Sequence, residues 1–268
     1  MRYKEFNPGE VLKEYVKCYY IYESDMAEDK AFATGCVEIM FNLGNGKWET
    51  AVGDKFVTTP PIELWGQVVR PLTFRSLGKN IMLGIRFYAH TACLFLNDSV
   101  SLFNNHITDL AAVAGKSVSE LHAKLLEAIS IKQRLQLIER FLLDRLLRYE
   151  KKFDKLAMIE DILTDLKQED FFDNIENVAS RYGITSRYLQ KIFLRYTGLT
   201  PKLYSRINRF QKSLLLVNKK NNSLTDIAYE CGYFDQSHFI RDFKWFTGFI
   251  PSAALPENSS ALLASPAK

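Results

Sequence analysis

Gly232-Tyr233-Phe234-Asp235-Gln236-Ser237-His238-Phe239-Ile240-Arg241-Asp242-Phe243-Lys244, followed by Thr247-Gly248 and Pro251, echoes an earlier stretch in which Gly183 leads to Phe193, Thr197-Gly198 and Pro201. Upstream of each glycine the same step recurs, Ala179 to Gly183 and Ala228 to Gly232. A repeat of alanine, glycine and aromatic at nearly matching offsets, the second copy one residue longer between glycine and phenylalanine, describes two copies of one helix-turn-helix, a unit whose second helix fits a groove of duplex DNA. Ile175, Val178, Ala179 and Tyr182 make the inward face of its first helix, with Asp173 and Glu176 resembling a capping box. Gly183 ends that helix, because the left-handed backbone it adopts is costly for other residues. Thr185 or Ser186 caps the next one. Leu189, Ile192, Phe193 and Tyr196 then fall on one stripe, which leaves Arg187, Gln190 and Lys191 together on the wet side.

Working outward, Pro201 suits the first turn of a connecting helix to about Val217, with Leu203, Ile207, Phe210 and Leu214 inward. Ser223 caps a helix over Leu224 to Cys231, and Asp235 caps another over Gln236 to Phe246, whose inner side is Phe239, Phe243 and Phe246. Asp242 stands where the first copy has Ile192, so its carboxylate needs either a basic partner or solvent. Charge separates this region from the rest. From Asn177 to Thr225 there is no Asp or Glu, while Arg181, Arg187, Lys191, Arg195, Lys202, Arg206, Arg209, Lys212, Lys219 and Lys220 all carry positive charge. A net charge of +4 over the whole chain conceals that local field, which suits a polyanion.

The first hundred residues read differently. Val16 to Tyr22, Val37 to Leu43, Glu63 to Val69, Leu72 to Ser76 and Ile81 to Phe87 are short, β-branched or aromatic runs separated by turn signals such as Gly44-Asn45-Gly46. They predict a small barrel or sandwich. Helical spacing follows over Ile107 to Ala112, Val118 to Ile129 and Ile131 to Tyr149, the last with Leu135, Ile138, Leu142 and Leu146 in one stripe that packs either on its own domain or on a second subunit. The expected architecture is a two-domain α+β chain. A cupin-like β-barrel or sandwich with trailing helices takes residues 1–150, and a partly helical linker takes 151–170. An all-α domain of two helix-turn-helix motifs joined by a helix takes 171–254, and a disordered tail 255–268.

Catalytic and metal chemistry find no foothold. His90, His106, His122 and His238 are isolated, and Cys18, Cys36, Cys93 and Cys231 form no CxxC, so neither a zinc site nor a disulfide framework is indicated. Cys36 has no evident His or Asn partner for nucleophilic work. No cofactor is implied, and no secretory or membrane-spanning segment is evident, which fits a cytoplasmic protein. Phe41, Trp48, Trp65 and Phe87 read either as the lining of a barrel for an apolar effector or as plain core. Glu38 and Arg86 pair with each other or with a polar ligand.

The Gly232 to Lys244 segment with Phe246-Thr247-Gly248 and Pro251 resembles the signature of the AraC/XylS family of bacterial transcription regulators. Ser186 to Phe193 with Thr197 to Pro201 is similar to that family's less uniform first motif. Gly35 to Gly44 and Gly84-Ile85-Arg86-Phe87 resemble an uncharacterised sensor-like β domain found before such motifs. The resemblance implies two helix-turn-helix units presenting their second helices to successive major grooves of promoter DNA. Arg187, Gln190 and Lys191 would read bases in one groove, and Gln236, Ser237 and Arg241 in the other, with Arg241 equally eligible to bind phosphate. Lys202, Arg206, Arg209 and Lys244 would contact phosphates. It further implies a transcriptional activator, with RNA polymerase, a small-molecule effector on the N-terminal domain and a homodimer as partners.

Overall fold

The computed structural model describes residues 2–96, 99–149, 155–166, 175–219 and 222–252. Eight strands, β1 (Arg2–Phe6), β2 (Val16–Ala31), β3 (Val37–Asn42), β4 (Lys47–Val52), β5 (Lys55–Thr58), β6 (Ile62–Trp65), β7 (Leu72–Phe87) and β8 (Ile107–Asp109), form one antiparallel sheet. Their order is β1-β2-β7-β3-β6-β8, with β4 pairing both β7 and β5. The sheet does not close into a barrel, since the end strands β1 and β8 do not pair; the arrangement is compatible with a cupin-like sandwich.

Two sequence expectations change here. Leu72 to Ser76 and Ile81 to Phe87 are one strand, because β2 runs antiparallel beside the whole of β7 and holds it continuous, while β4 takes one half of its other edge and β3 the other half. Ile107 to Ala112 begins as β8, pairing Ile107 with Trp65, and becomes helical only at α1 (Leu110–Ala114). Three residues of ladder override a helical period too short to be decisive.

Alternation along the strands makes two different faces. Val37, Ile39, Phe41, Leu64, Leu83, Ile85 and Phe87 point to one, where α2 (Lys116–Glu127), α3 (Ile131–Tyr149) and the rest of the main apolar cluster lie. Cys18, Tyr20, Tyr22, Met40, Trp48, Trp65, Phe74 and Met82 fill the other. The four aromatics read as an effector lining therefore do not share a cavity: Phe41 and Phe87 face the helices, whereas Trp48 and Trp65 pack around Phe74 at 4.9 and 5.9 Å on the opposite side. On that second face Tyr20 covers Gly84 so closely that a Cβ there would lie 2.0 Å from the ring. Arg86 lies beside it, bonded to Glu38 at 2.9 Å, so these two pair with each other, and Tyr20 donates to the same carboxylate. Ile138 and Leu142 of α3 are fully buried within the same chain.

The remaining helices are α4 (Leu156–Asp165), α5 (Ile175–Arg181), α6 (Ser186–Thr197), α7 (Pro201–Lys219), α8 (Leu224–Glu230) and α9 (Gln236–Thr247). Asp173 and the segment after Ser252, expected as a cap and a tail, lie outside the described residues.

Candidate nucleic-acid interface

The two repeats fold as two α-turn-α units, α5–α6 and α8–α9, with α7 between them. Thr185, not Ser186, caps α6 by accepting from the Tyr188 amide, and Asp235 caps α9 by accepting from His238 N at 2.6 Å. Both second helices end alike. Thr197 Oγ1 donates to Phe193 O at 2.8 Å and accepts from Leu199 N at 3.0 Å; Thr247 Oγ1 does the same with Phe243 O and Phe249 N at 2.8 and 3.0 Å. Gly198 and Gly248 then take the left-handed C-cap. The repeated Thr-Gly is thus a helix stop with its hydrogen bonds accounted for.

Packing turns one face of each second helix outward. Leu189, Ile192, Phe193 and Tyr196 of α6 are buried, as are Phe239, Phe243 and Phe246 of α9. Arg187, Gln190 and Lys191 are exposed together, as are Ser237 and Arg241. Gln236 is half-buried, with its side-chain oxygen accepting from Thr225 Oγ1 at 2.9 Å. Lys202 and Lys244 are exposed.

Two cations expected on phosphates are committed elsewhere. Arg209 is 8% exposed, donates to Gly232 O at 3.1 Å and lies over the Tyr233 ring, so it braces the second turn from inside. Arg206 answers the question posed by Asp242: its guanidinium reaches the buried carboxylate at 2.8 Å and neutralises it. Burial holds the pKa of His238 below the ordinary histidine range against the opposing pull of Asp242, while Arg209 and Arg241 add to the lowering. Arg206, Arg209, His238, Arg241 and Asp242 line a cleft between α6 and α9 together with Gln190 and Lys202.

Sequence reading missed how this surface is held. Gln67, fully buried, donates its amide to Thr197 O at 3.0 Å, and Asn104 donates to Gly198 O at 2.7 Å. A Cβ on Gly198 would stand 2.9 Å from Val100. On α9, Arg70 stacks on Trp245 at 3.2 Å, and just beyond the end of that helix Lys30 lies over Phe249 at 4.4 Å. Gln211 of α7 donates to Ala33 O. Both second helices therefore dock their C-terminal ends on the β domain, and no periodic signal announced it.

Residues 178–255 match a family model described as a helix-turn-helix domain, and residues 4–109 match one described as a domain of unknown function, DUF6597. An uncharacterised HTH-type transcriptional regulator of Escherichia coli K12, YidL, is 35% identical over 82 residues, covering 31% of this chain and 28% of that protein. The HTH-type transcriptional activator RhaS of Escherichia coli O9:H4 is 35% identical over 94 residues, 34% of this chain and 32% of its own. The chain thus aligns with about a third of the length of these curated relatives. Among solved structures, ToxT of Vibrio cholerae O395 superposes with a TM-score of 0.47 at 16% identity, over 87% of this chain and 94% of that one. Over residues 178–255 the chain therefore carries a helix-turn-helix domain, similar in sequence to those of HTH-type transcriptional regulators.

Proposed function

We propose that the protein is a sequence-specific DNA-binding regulator of transcription. The observation that carries this reading is the pairing of two homologous second helices, each burying an apolar stripe and each leaving cationic and amide side chains outward in its N-terminal half. Arg187, Gln190 and Lys191 on α6, and Gln236, Ser237 and Arg241 on α9, are the base-reading set, for Arg matches guanine and Gln matches adenine in the major groove. Lys202 and Lys244 are the phosphate contacts. Residues 1–150 form the control module, 151–170 the connection and 171–254 the DNA-binding module. RhaS is named an activator, so activation is the mode assigned, with RNA polymerase the partner it entails and the cytoplasm the compartment. A small-molecule effector and a second copy of the chain complete the proposed partners.

Selection of bound duplexes from a random library by the full chain, at near-physiological salt, tests this. Enrichment of two short boxes about one helical turn apart is the expected result. Recovery of unselected sequence, with affinity set by salt alone, would reject sequence-specific reading.

A further inference from the structure

One hydrogen bond of the second α-turn-α unit joins two residues whose types do not recur in the first. Thr225 of α8 donates its hydroxyl to Gln236 Oε1 at 2.9 Å, tying the first turn of one helix to the first residue of the next. With Ala179 set against Ala228 and Phe193 against Phe243, Glu176 and Ser186 take their places in the first unit. Both ends of the bond stand on fixed backbone. Ser223 caps α8, accepting from Asp226 N at 3.1 Å and donating to Asp226 Oδ2 at 2.6 Å, while Asp235 caps α9 and Arg209 holds the Gly232 carbonyl in the turn between them. Thr225 is β-branched and stiff at χ1, whereas Gln236 is long and its terminal amide torsion is broad, so the stiff partner orders the loose one. Thr225 is exposed, so the bond shields no core and its effect falls on the conformation of the Gln236 side chain.

We propose that Thr225 is a positioning residue for Gln236, holding its amide in one plane and at one reach before DNA arrives and so sharpening discrimination at a single base pair of one box. A carboxamide oxygen has two lone pairs. Thr225 takes one, which leaves the other, together with both Nε2 protons, for a base edge. Adenine matches that remainder, since its N6 donates and its N7 accepts. Ordering the side chain before contact removes part of an entropic cost otherwise met on binding. The base-reading part of the inference rests on the function proposed above, whereas the ordering of Gln236 in the free chain does not.

The test uses the full chain. Thr225→Val keeps the shape and removes the donor, and Thr225→Ser keeps the hydroxyl. Against a selected duplex and its single-base variants, Thr225→Val should lower discrimination about fivefold at one base pair, the pair at which Gln236→Ala abolishes it, and Thr225→Ser should retain it. Adding Thr225→Val to Gln236→Ala should change nothing further. A loss spread evenly over all duplexes and persisting in the Gln236→Ala background would make Thr225 a direct phosphate contact and overturn the proposal, as would an unchanged profile. In the free chain, the nitrogen relaxation order parameter of the Gln236 side-chain amide should fall in Thr225→Val and not in Thr225→Ser; an amide equally mobile in native and variant chains would overturn the positioning without recourse to DNA. Ordering of the amide in a chain that selects no duplex would leave the Thr225 bond standing and reject the base role together with the regulator reading.

Discussion

Glu63 is a fully buried side chain whose protonation responds to pH. It sits between Ile62 and Leu64 in β6, fully buried, accepting from Thr59 Oγ1 and from Trp65 Nε1, each at 2.5 Å. Burial raises its pKa from 4.5 to about 7, the two hydrogen bonds opposing part of the rise. Between those values the folded chain keeps a proton that the unfolded chain has released, so stability falls as pH increases and the full penalty is present above about pH 7. Glu63→Gln should melt with the native chain near pH 5 and above it near pH 8, by up to roughly 3 kcal/mol in stability; a gap that does not widen with pH would refute the assignment. The Arg206–Asp242 pair allows a second test. Arg206→Met leaves a carboxylate that is 5% exposed without its cation and should cost about 2–3 kcal/mol in denaturant unfolding, while adding Asp242→Ile should restore most of it. The sequence displayed Asp242 as an anomaly, the polar member of an apolar stripe. It could not name Arg206, which approaches from α7 and not from the same motif, and for the same reason it sent Arg206 and Arg209 to phosphates.

At the scale of the element, the second helices of the two repeats were legible almost to the residue because two signals agreed, apolar spacing and an N-cap type. The strands were legible only as places where strands exist. β4 and β5 are short, with just one buried residue between them, so nothing in their alternation marks them, and β8 borrowed its identity from β6. For the helices the division of labour makes a prediction. Arg187→Ala should relax base preference at one box, costing about 1–3 kcal/mol against its preferred base pair. Lys202→Ala should weaken all duplexes alike and reduce the salt slope by about one. Binding curves over a panel of single-base variants at two salt concentrations separate the two outcomes; equal effects on all sequences from both substitutions would dissolve the distinction.

On the scale of the whole molecule, one apolar cluster runs from the helix side of the sheet through Val100 and Phe103 to Leu189, Phe193 and Phe246. A chain built this way should unfold in a single calorimetric transition although it is organised as two modules. Gln67→Ala with Asn104→Ala removes both side chains that hold the end of α6 and leaves the Thr197 and Gly198 carbonyls without them. That variant should show two resolved transitions and faster amide exchange at Leu199; an unchanged single transition would mean that the apolar contact alone couples the modules. None of this was readable beforehand, since Gln67 and Asn104 look like ordinary loop amides until the fold places them opposite two carbonyls.

The second helix of each unit is anchored at the end away from its proposed base-reading residues, so a tilt about that end is felt most at its first turn. α6 has 12 residues and is therefore ~18 Å long, so a tilt of about 10° at its clamped end sweeps its first turn through roughly 3 Å. Successive bases on a strand are separated by ~3.4 Å. With Arg187 reading a base, as proposed, a tilt of that size would carry its side chain through nearly one base step.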